Sequence, residues 1–202
     1  MTTAIIAVAT VAQLCMADPC TALALVEPLA AERARAEKCV EVARAAEAQG
    51  VDPVAAVALG WGESKFNPHA VSKTGVRNVL QVSNVGCRAW LRAGSPGAYS
   101  GHPVRMVEYR GSRVACDVTA AGIWQLGRRL AKADGDLQRA ACTYTLGSCP
   151  VSRVRRCEQL GGPECASLLR GWRWAGSVAG VSRRLRETVE IANGQRAAGG
   201  AL

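Results

Sequence analysis

A mainly α-helical fold is expected from three features of this 202-residue sequence. Apolar residues make up 49% of it, supplied mostly by Ala, Val, Leu and Gly, while aromatic residues are only 4%; small side chains of this kind suit closely packed helices. Apolar positions recur at helical spacing in several separate segments. Start and stop signals punctuate those segments, at Gly50, Asp52-Pro53 and Asn67-Pro68 among others. A chain of this length can bury a sizeable core, and one catalytic body with decorations is the expected organisation.

The elements follow in order. Residues 4 to 16 form an apolar run without a preceding Lys or Arg. It lacks the basic start of a signal peptide and is short for a bilayer span, so a weak signal, an anchor and a core helix are three readings of it. Thr21 to Gln49 is rich in Ala, Glu, Arg and Leu at roughly helical spacing, with a break expected near Pro28. Gly50 stops that helix and Asp52-Pro53 opens the next. Asp at the N-cap accepts from exposed amides, and Pro at the first helical position gives up an amide that would be unpaired. The second helix runs to about Lys65, where Asn67-Pro68 ends it because a residue before proline resists the α region.

Beyond it, residues 69 to 86 carry turn chemistry at Ser72-Lys73-Thr74-Gly75 and an apolar stretch from Val79 to Val82. Residues 94 to 115, with Gly94, Pro96, Gly97, Gly101, Pro103 and Gly111, read as a long irregular insertion with room for a short hairpin. Loops of this length often form binding rims. Helical spacing returns from Val118 to Ala133 and from Leu137 to Leu146. Gly147 to Cys165 is basic, cysteine-rich and turn-rich, and a last helix is expected from Val178 to Ala192.

The balance of 25 Lys plus Arg against 16 Asp plus Glu gives a net charge of +9. A basic surface suits nucleic acid, anionic lipid, or cell-wall polymers carrying lactyl and peptide carboxylates, and solubility alone is the other explanation. The C-terminal arginines, among them Arg153, Arg155, Arg156, Arg183, Arg184 and Arg186, sit in no nucleic-acid-binding motif, so a nucleic-acid partner is not expected. Nine cysteines contain no Cys-x-x-Cys pair, and His69 and His102 are the only histidines. Disulfides explain this count better than a metal, and neither metal nor cofactor is expected. An oxidising compartment follows; buried reduced thiols are the alternative. Cys87 and Cys116 bracket the insertion, and pairs drawn from Cys142, Cys149, Cys157 and Cys165 are expected to hold the basic segment. The odd count leaves one thiol unpaired or bonded between chains.

Glu63 is the candidate for chemistry. Three, four and seven residues before it stand Gly60, Leu59 and Ala56, so the carboxyl shares the apolar stripe of its helix. Partial burial there disfavours the charged form and keeps a proton available near neutral pH. A glutamate in a terminal turn that faces water is the plainer alternative.

The run Glu63-Ser64-Lys65-Phe66-Asn67-Pro68-His69-Ala70-Val71-Ser72-Lys73-Thr74-Gly75 decides between them, because it resembles the Glu-Ser block of soluble lytic transglycosylases, a family related to goose-type lysozymes. That family's Gly-Leu-Met-Gln-type segment has its counterpart in Asn78-Val79-Leu80-Gln81, with Asn78 in place of glycine and Leu80 in place of methionine. The Ala-Ala-Tyr-Asn-Ala-Gly helix has its counterpart around Ala140-Ala141-Cys142-Thr143-Tyr144-Thr145, with Thr145 in place of asparagine.

The resemblance implies a lysozyme-like domain over residues 38–150, with a small irregular or hairpin insertion. An N-terminal apolar segment and helix (1–37) would precede it and a basic, Cys-containing extension (151–202) would follow. It further implies cleavage of the MurNAc–GlcNAc bond of peptidoglycan with formation of 1,6-anhydroMurNAc, Glu63 acting as acid and then base. Ser72, Gln81 and Tyr144 would bind substrate, the phenol near the Glu63 carboxyl or a sugar N-acetyl group and the Gln81 amide at sugar hydroxyls. The expected setting is extracytoplasmic or virion-associated. The departures at Asn78, Leu80 and Thr145 motivate a second reading: a catalytically degenerate, wall-binding component of a phage particle or secretion apparatus.

Overall fold

The computed structural model describes residues 18–98 and 101–199. The apolar run at 4–16, and with it Cys15, lies outside the described residues. The chain is mainly helical. α1 (Pro19–Val26) is followed by a 3-10 turn at Pro28–Ala31, then α2 (Arg33–Ala48) and α3 (Pro53–Ser64). α4 (Asn84–Arg92) leads to a hairpin of β1 (Val104–Tyr109) and β2 (Ser112–Asp117), and α5 (Val118–Lys132), α6 (Leu137–Leu146), α7 (Val151–Leu160) and α8 (Ala166–Gly199) complete it.

Local signals set most of the helix starts. Asp18, Asp52, Ser83, Asp117 and Asp136 each stand at an N-cap and accept from an amide in the first turn, satisfying donors that have no partner inside the helix. The break expected near Pro28 is the 3-10 turn. The hairpin expected inside the insertion pairs Val104 with Asp117 through Tyr109 with Ser112 in antiparallel register. Its two-residue turn is Arg110-Gly111, both at positive φ (51° and 79°), which matches the right-handed twist of the flanking strands. His102 Nδ1 donates to Asp117 Oδ2 at 2.8 Å at the hairpin base, while Asp117 Oδ1 accepts from Ala120 N at 2.8 Å and caps α5.

Three expectations need correcting. α4 starts at the end of the segment read as turn and apolar stretch and runs on through residues for which no element was expected, burying Gly86, Cys87 and Trp90. α7 likewise forms within the segment read as turn-rich, presenting only Val154 and Cys157 to the interior. The last helix begins at Ala166 rather than Val178. Within it Gly171 and Gly176 are places of close approach: a Cβ on Gly171 would lie 2.5 Å from Leu146 Cδ1, and one on Gly176 would lie 3.1 Å from Gln138 Nε2.

The core gathers around α3, which buries every residue from Ala55 to Trp61 and packs against α1, α2 and α8. α8 also packs on α6, and it contributes Ala175, Val178, Val181 and Leu185 to the core. Four disulfides join Cys20–Cys39, Cys87–Cys116, Cys142–Cys149 and Cys157–Cys165. The second closes the insertion and the last two hold the basic segment, in the pattern the spacing predicts.

Candidate active site

Glu63 sits in the last turn of α3, and its position is fixed from both sides. Gly60 lets the helix approach Phe66, whose Cε1 would be 2.6 Å from a Cβ there. Gly62 lets it approach α8, where Val178 Cγ2 would be 2.5 Å from a Cβ. Trp174 Nε1 donates to the Gly62 carbonyl at 3.3 Å. Beyond the helix end Lys65 is left-handed, Arg35 Nη1 donates to its carbonyl at 2.6 Å, and its ammonium lies 4.6 Å from the centre of the Trp61 ring. Both flanks of the helix end are packed in this way, and Glu63 lines the cleft beside them.

That cleft has a volume of about 360 Å³ and brings together Glu63, Ser72, Gln81 and Tyr144, together with Gln125 and Thr145. Among its lining residues Glu63 is the single carboxylic acid. Loss of water around the carboxyl raises its pKa from the ordinary 4.5 to about 7, and the hydrogen bond from Thr145 Oγ1 to Glu63 Oε1 (3.2 Å) pulls the other way by favouring the charged form. The acid is therefore about half protonated at neutral pH, the condition a general acid that must later serve as base requires.

The other sequence-derived residues reach the cleft differently from what their residue types suggest. Tyr144 does not hydrogen-bond the Glu63 carboxyl; its hydroxyl donates to the Leu80 carbonyl at 3.0 Å. Burial, and then the Glu63 charge beside it, hold the phenol well above its usual pKa, so it stays a neutral donor. Ser72 Oγ accepts from Val76 N at 2.9 Å and Thr74 N at 3.2 Å, which shapes the turn. Gln81, at φ 51°, donates its amide to the Asn78 carbonyl at 2.6 Å, and its Oε1 is buried without a hydrogen-bond partner among the described residues.

Asn78, which replaces the family's glycine, spans this loop. Its Nδ2 donates to the Val82 carbonyl at 3.0 Å and its Oδ1 accepts from Val82 N at 2.8 Å. Leu80 is buried against α5, where a Cβ on Gly122 would lie 2.6 Å from Leu80 Cδ1. The sequence marks Thr145 only as a departure from the family pattern, yet it is the residue that touches the acid. Its place directly after Tyr144 was the available signal. Gln125, on α5, had none. No group of three or more His, Cys, Asp or Glu side chains comes together among the described residues.

The model of the Transglycosylase SLT domain family matches residues 41–160, which contain Glu63 and every other residue of the cleft. No curated protein and no solved structure matches.

Proposed function

The chain belongs to the transglycosylase SLT domain family, and on that premise we propose that it cleaves the MurNAc–GlcNAc bond of peptidoglycan by a single-acid route that ends in 1,6-anhydroMurNAc. The observation that carries this reading is the Glu63 carboxyl, with a pKa of about 7, in a cleft that no second acid lines among the described residues. A hydrolytic glycosidase uses two carboxylates, one to protonate the leaving oxygen and one to attack or to activate water. With one carboxyl, the protonated Glu63 gives its proton to the glycosidic oxygen as that bond breaks. The carboxylate so formed takes the proton of the muramyl C6 hydroxyl as its oxygen closes on C1. Acid and base are regenerated in one turnover, and no water is consumed.

Thr145 would hold the carboxylate in the interval between these steps, since its hydrogen bond is strongest to the charged form. Ser72, Gln81 and Tyr144 are assigned to substrate binding through the loop they shape, with Tyr144 holding the Leu80 carbonyl and so the Gln81 backbone. The departures that favour a degenerate, structural role fit an active site as well. Asn78 ties its loop internally, Leu80 fills the core, and Thr145 supplies a donor to the acid.

Four disulfides support an extracytoplasmic, oxidising setting. Among the described residues no helix is long and apolar enough to cross a membrane. Mass spectrometry of digested peptidoglycan tests the reaction: anhydromuramyl ends without new reducing ends are expected, and they disappear with Glu63→Gln. New reducing ends would mean hydrolysis and overturn the single-acid route.

A further inference from the structure

Away from the cleft, the last turn of α5, the first turns of α6 and the lead-in to α7 enclose a cavity of about 220 Å³. Arg129 and Lys132 line it from α5 and Arg139 from α6. Lys132 and Arg139 are exposed and Arg129 is half-buried. None of the three has an ion pair among the described residues, and no carboxylate among them lines the cavity. Asp136, the N-cap of α6, accepts from the Arg139 amide at 3.0 Å and is not part of the wall. α6 separates this cavity from the cleft. Thr143 lines the cavity and Thr145 the cleft, and residues two apart on an α-helix point about 200° from each other.

Helix chemistry accounts for only two of the cations. Arg129 and Lys132 stand in the last turn of α5, where the helix dipole favours positive charge. Arg139 stands in the first turn of α6, where the dipole disfavours it. Pro150, the N-cap of α7, offers no side-chain acceptor to that helix's first amides, so a second helix start adds positive potential at the same wall. The Cys142–Cys149 bond ties α6 to this lead-in. A wall held in place beforehand loses little freedom when a ligand binds.

We infer that this cavity is a site for a phosphate ester group carried on an anionic polymer of the cell envelope, with Arg129, Lys132 and Arg139 as its donors. The inference takes only its setting, the envelope, from the peptidoglycan reading above. A phosphate presents its oxygens in tetrahedral directions and so meets cations arriving from two helices and amides at the start of a third. A carboxylate has two oxygens in one plane. At about 220 Å³ the cavity also has room for part of the polyol or sugar to which the phosphate is esterified. A polymer suits it better than a bilayer, because the large apolar side chains exposed on the surface, Leu25, Leu160 and Ile191 among them, do not line it.

The affinity of the full chain is measured for poly(glycerol phosphate), for polyglutamate of matched length and charge, and for vesicles containing phosphatidylglycerol. The phosphate polymer is expected to bind about tenfold more tightly than polyglutamate. Arg139→Gln is expected to weaken the phosphate polymer about tenfold, the worth of one charge-assisted contact, and Arg139→Lys to recover part of the loss. Arg183→Gln removes an exposed charge elsewhere and is expected to change affinity less than about twofold. Digestion of phosphate-free peptidoglycan by Arg139→Gln should stay at the wild-type level. Equal losses in Arg139→Gln and Arg183→Gln would reduce the site to general surface charge and overturn it. Equal affinity for polyglutamate overturns the phosphate assignment, and tighter binding to vesicles than to the polymer overturns the polymer in favour of a bilayer. Arg139-dependent polymer binding by a protein that digests nothing would support this site and overturn the cleavage reading alone.

Discussion

Thr145 Oγ1 donates to Glu63 Oε1 at 3.2 Å, joining α6 to the end of α3 across 82 residues of chain. A donor at this place favours the carboxylate and so opposes the desolvation that raises the acid to about 7. Thr145→Val keeps the shape and removes the donor. The alkaline limb of the kcat/KM profile is expected to move up by roughly 0.4 to 1 pH unit, the equivalent of one ordinary hydrogen bond. Thr145→Ser should leave it in place. A limb that stays put in the valine variant shows that the hydroxyl does not tune the acid.

The same carboxyl makes stability depend on pH. Below about 4.5 Glu63 is neutral in both folded and unfolded chains and contributes no penalty. Between 4.5 and about 7 the unfolded chain ionises first, and above 7 the folded protein holds a desolvated charge. The unfolding free energy therefore falls as pH rises through this window, by at most ~3 kcal/mol for a shift of roughly 2.5 units at about 1.36 kcal/mol each. Glu63→Gln removes the dependence. Urea unfolding at pH 5 and pH 8 should find the variant gaining on the wild type at the higher pH, by ~1 to 3 kcal/mol. Equal differences at the two pH values would mean that the acid is solvated.

Tyr144→Phe separates positioning from chemistry. It leaves the buried Leu80 carbonyl without its donor, which costs ~1 to 2 kcal/mol of stability and loosens the loop that carries Gln81. Its kcat/KM is expected to fall about tenfold. Glu63→Gln removes general acid–base assistance worth ~10² to 10⁴ in rate. Steady-state kinetics on defined strands distinguishes the two, and equal losses would give the phenol a direct part in proton transfer.

Of nine cysteines, eight are bonded in the described residues. Thiol titration of unfolded, unreduced protein should find no more than one free thiol per chain. Replacing Cys87 and Cys116 with serine opens a loop of 29 residues and is expected to cost roughly 3 to 4 kcal/mol. Thermal unfolding with and without reductant checks the value. Several free thiols in untreated protein would remove the main support for an oxidising compartment.

What the sequence determined by itself is whatever short-range chemistry controls. Asp52-Pro53 opens α3 because capping acts within a few residues, the helix closes at left-handed Lys65 just ahead of Asn67-Pro68, and the Leu137–Leu146 helix follows from its apolar period. The Glu63 block carried the family reading because its turn residues and its acid stand side by side. The spacing of Cys87 and Cys116 around a glycine- and proline-rich insertion likewise pointed to their bond.

Only the tertiary structure decided which partner each polar atom takes. Tyr144 turned to the Leu80 carbonyl rather than the acid, and Thr145, seen in the sequence as a departure, became the acid's hydrogen-bond donor. α4 and α7 are helices of nine and ten residues that bury only Gly86, Cys87 and Trp90, and Val154 and Cys157, and turn residues flank both. α8 starts well before the expected Val178, and the glycines in its first turns have their reason in another helix, Leu146 against Gly171 and Gln138 against Gly176. The physical reason is common to all of these. Capping and periodicity act over one or two turns, while the pKa of Glu63 and the choice of hydrogen-bond donors depend on atoms that folding brings together from 64 to 82 residues away.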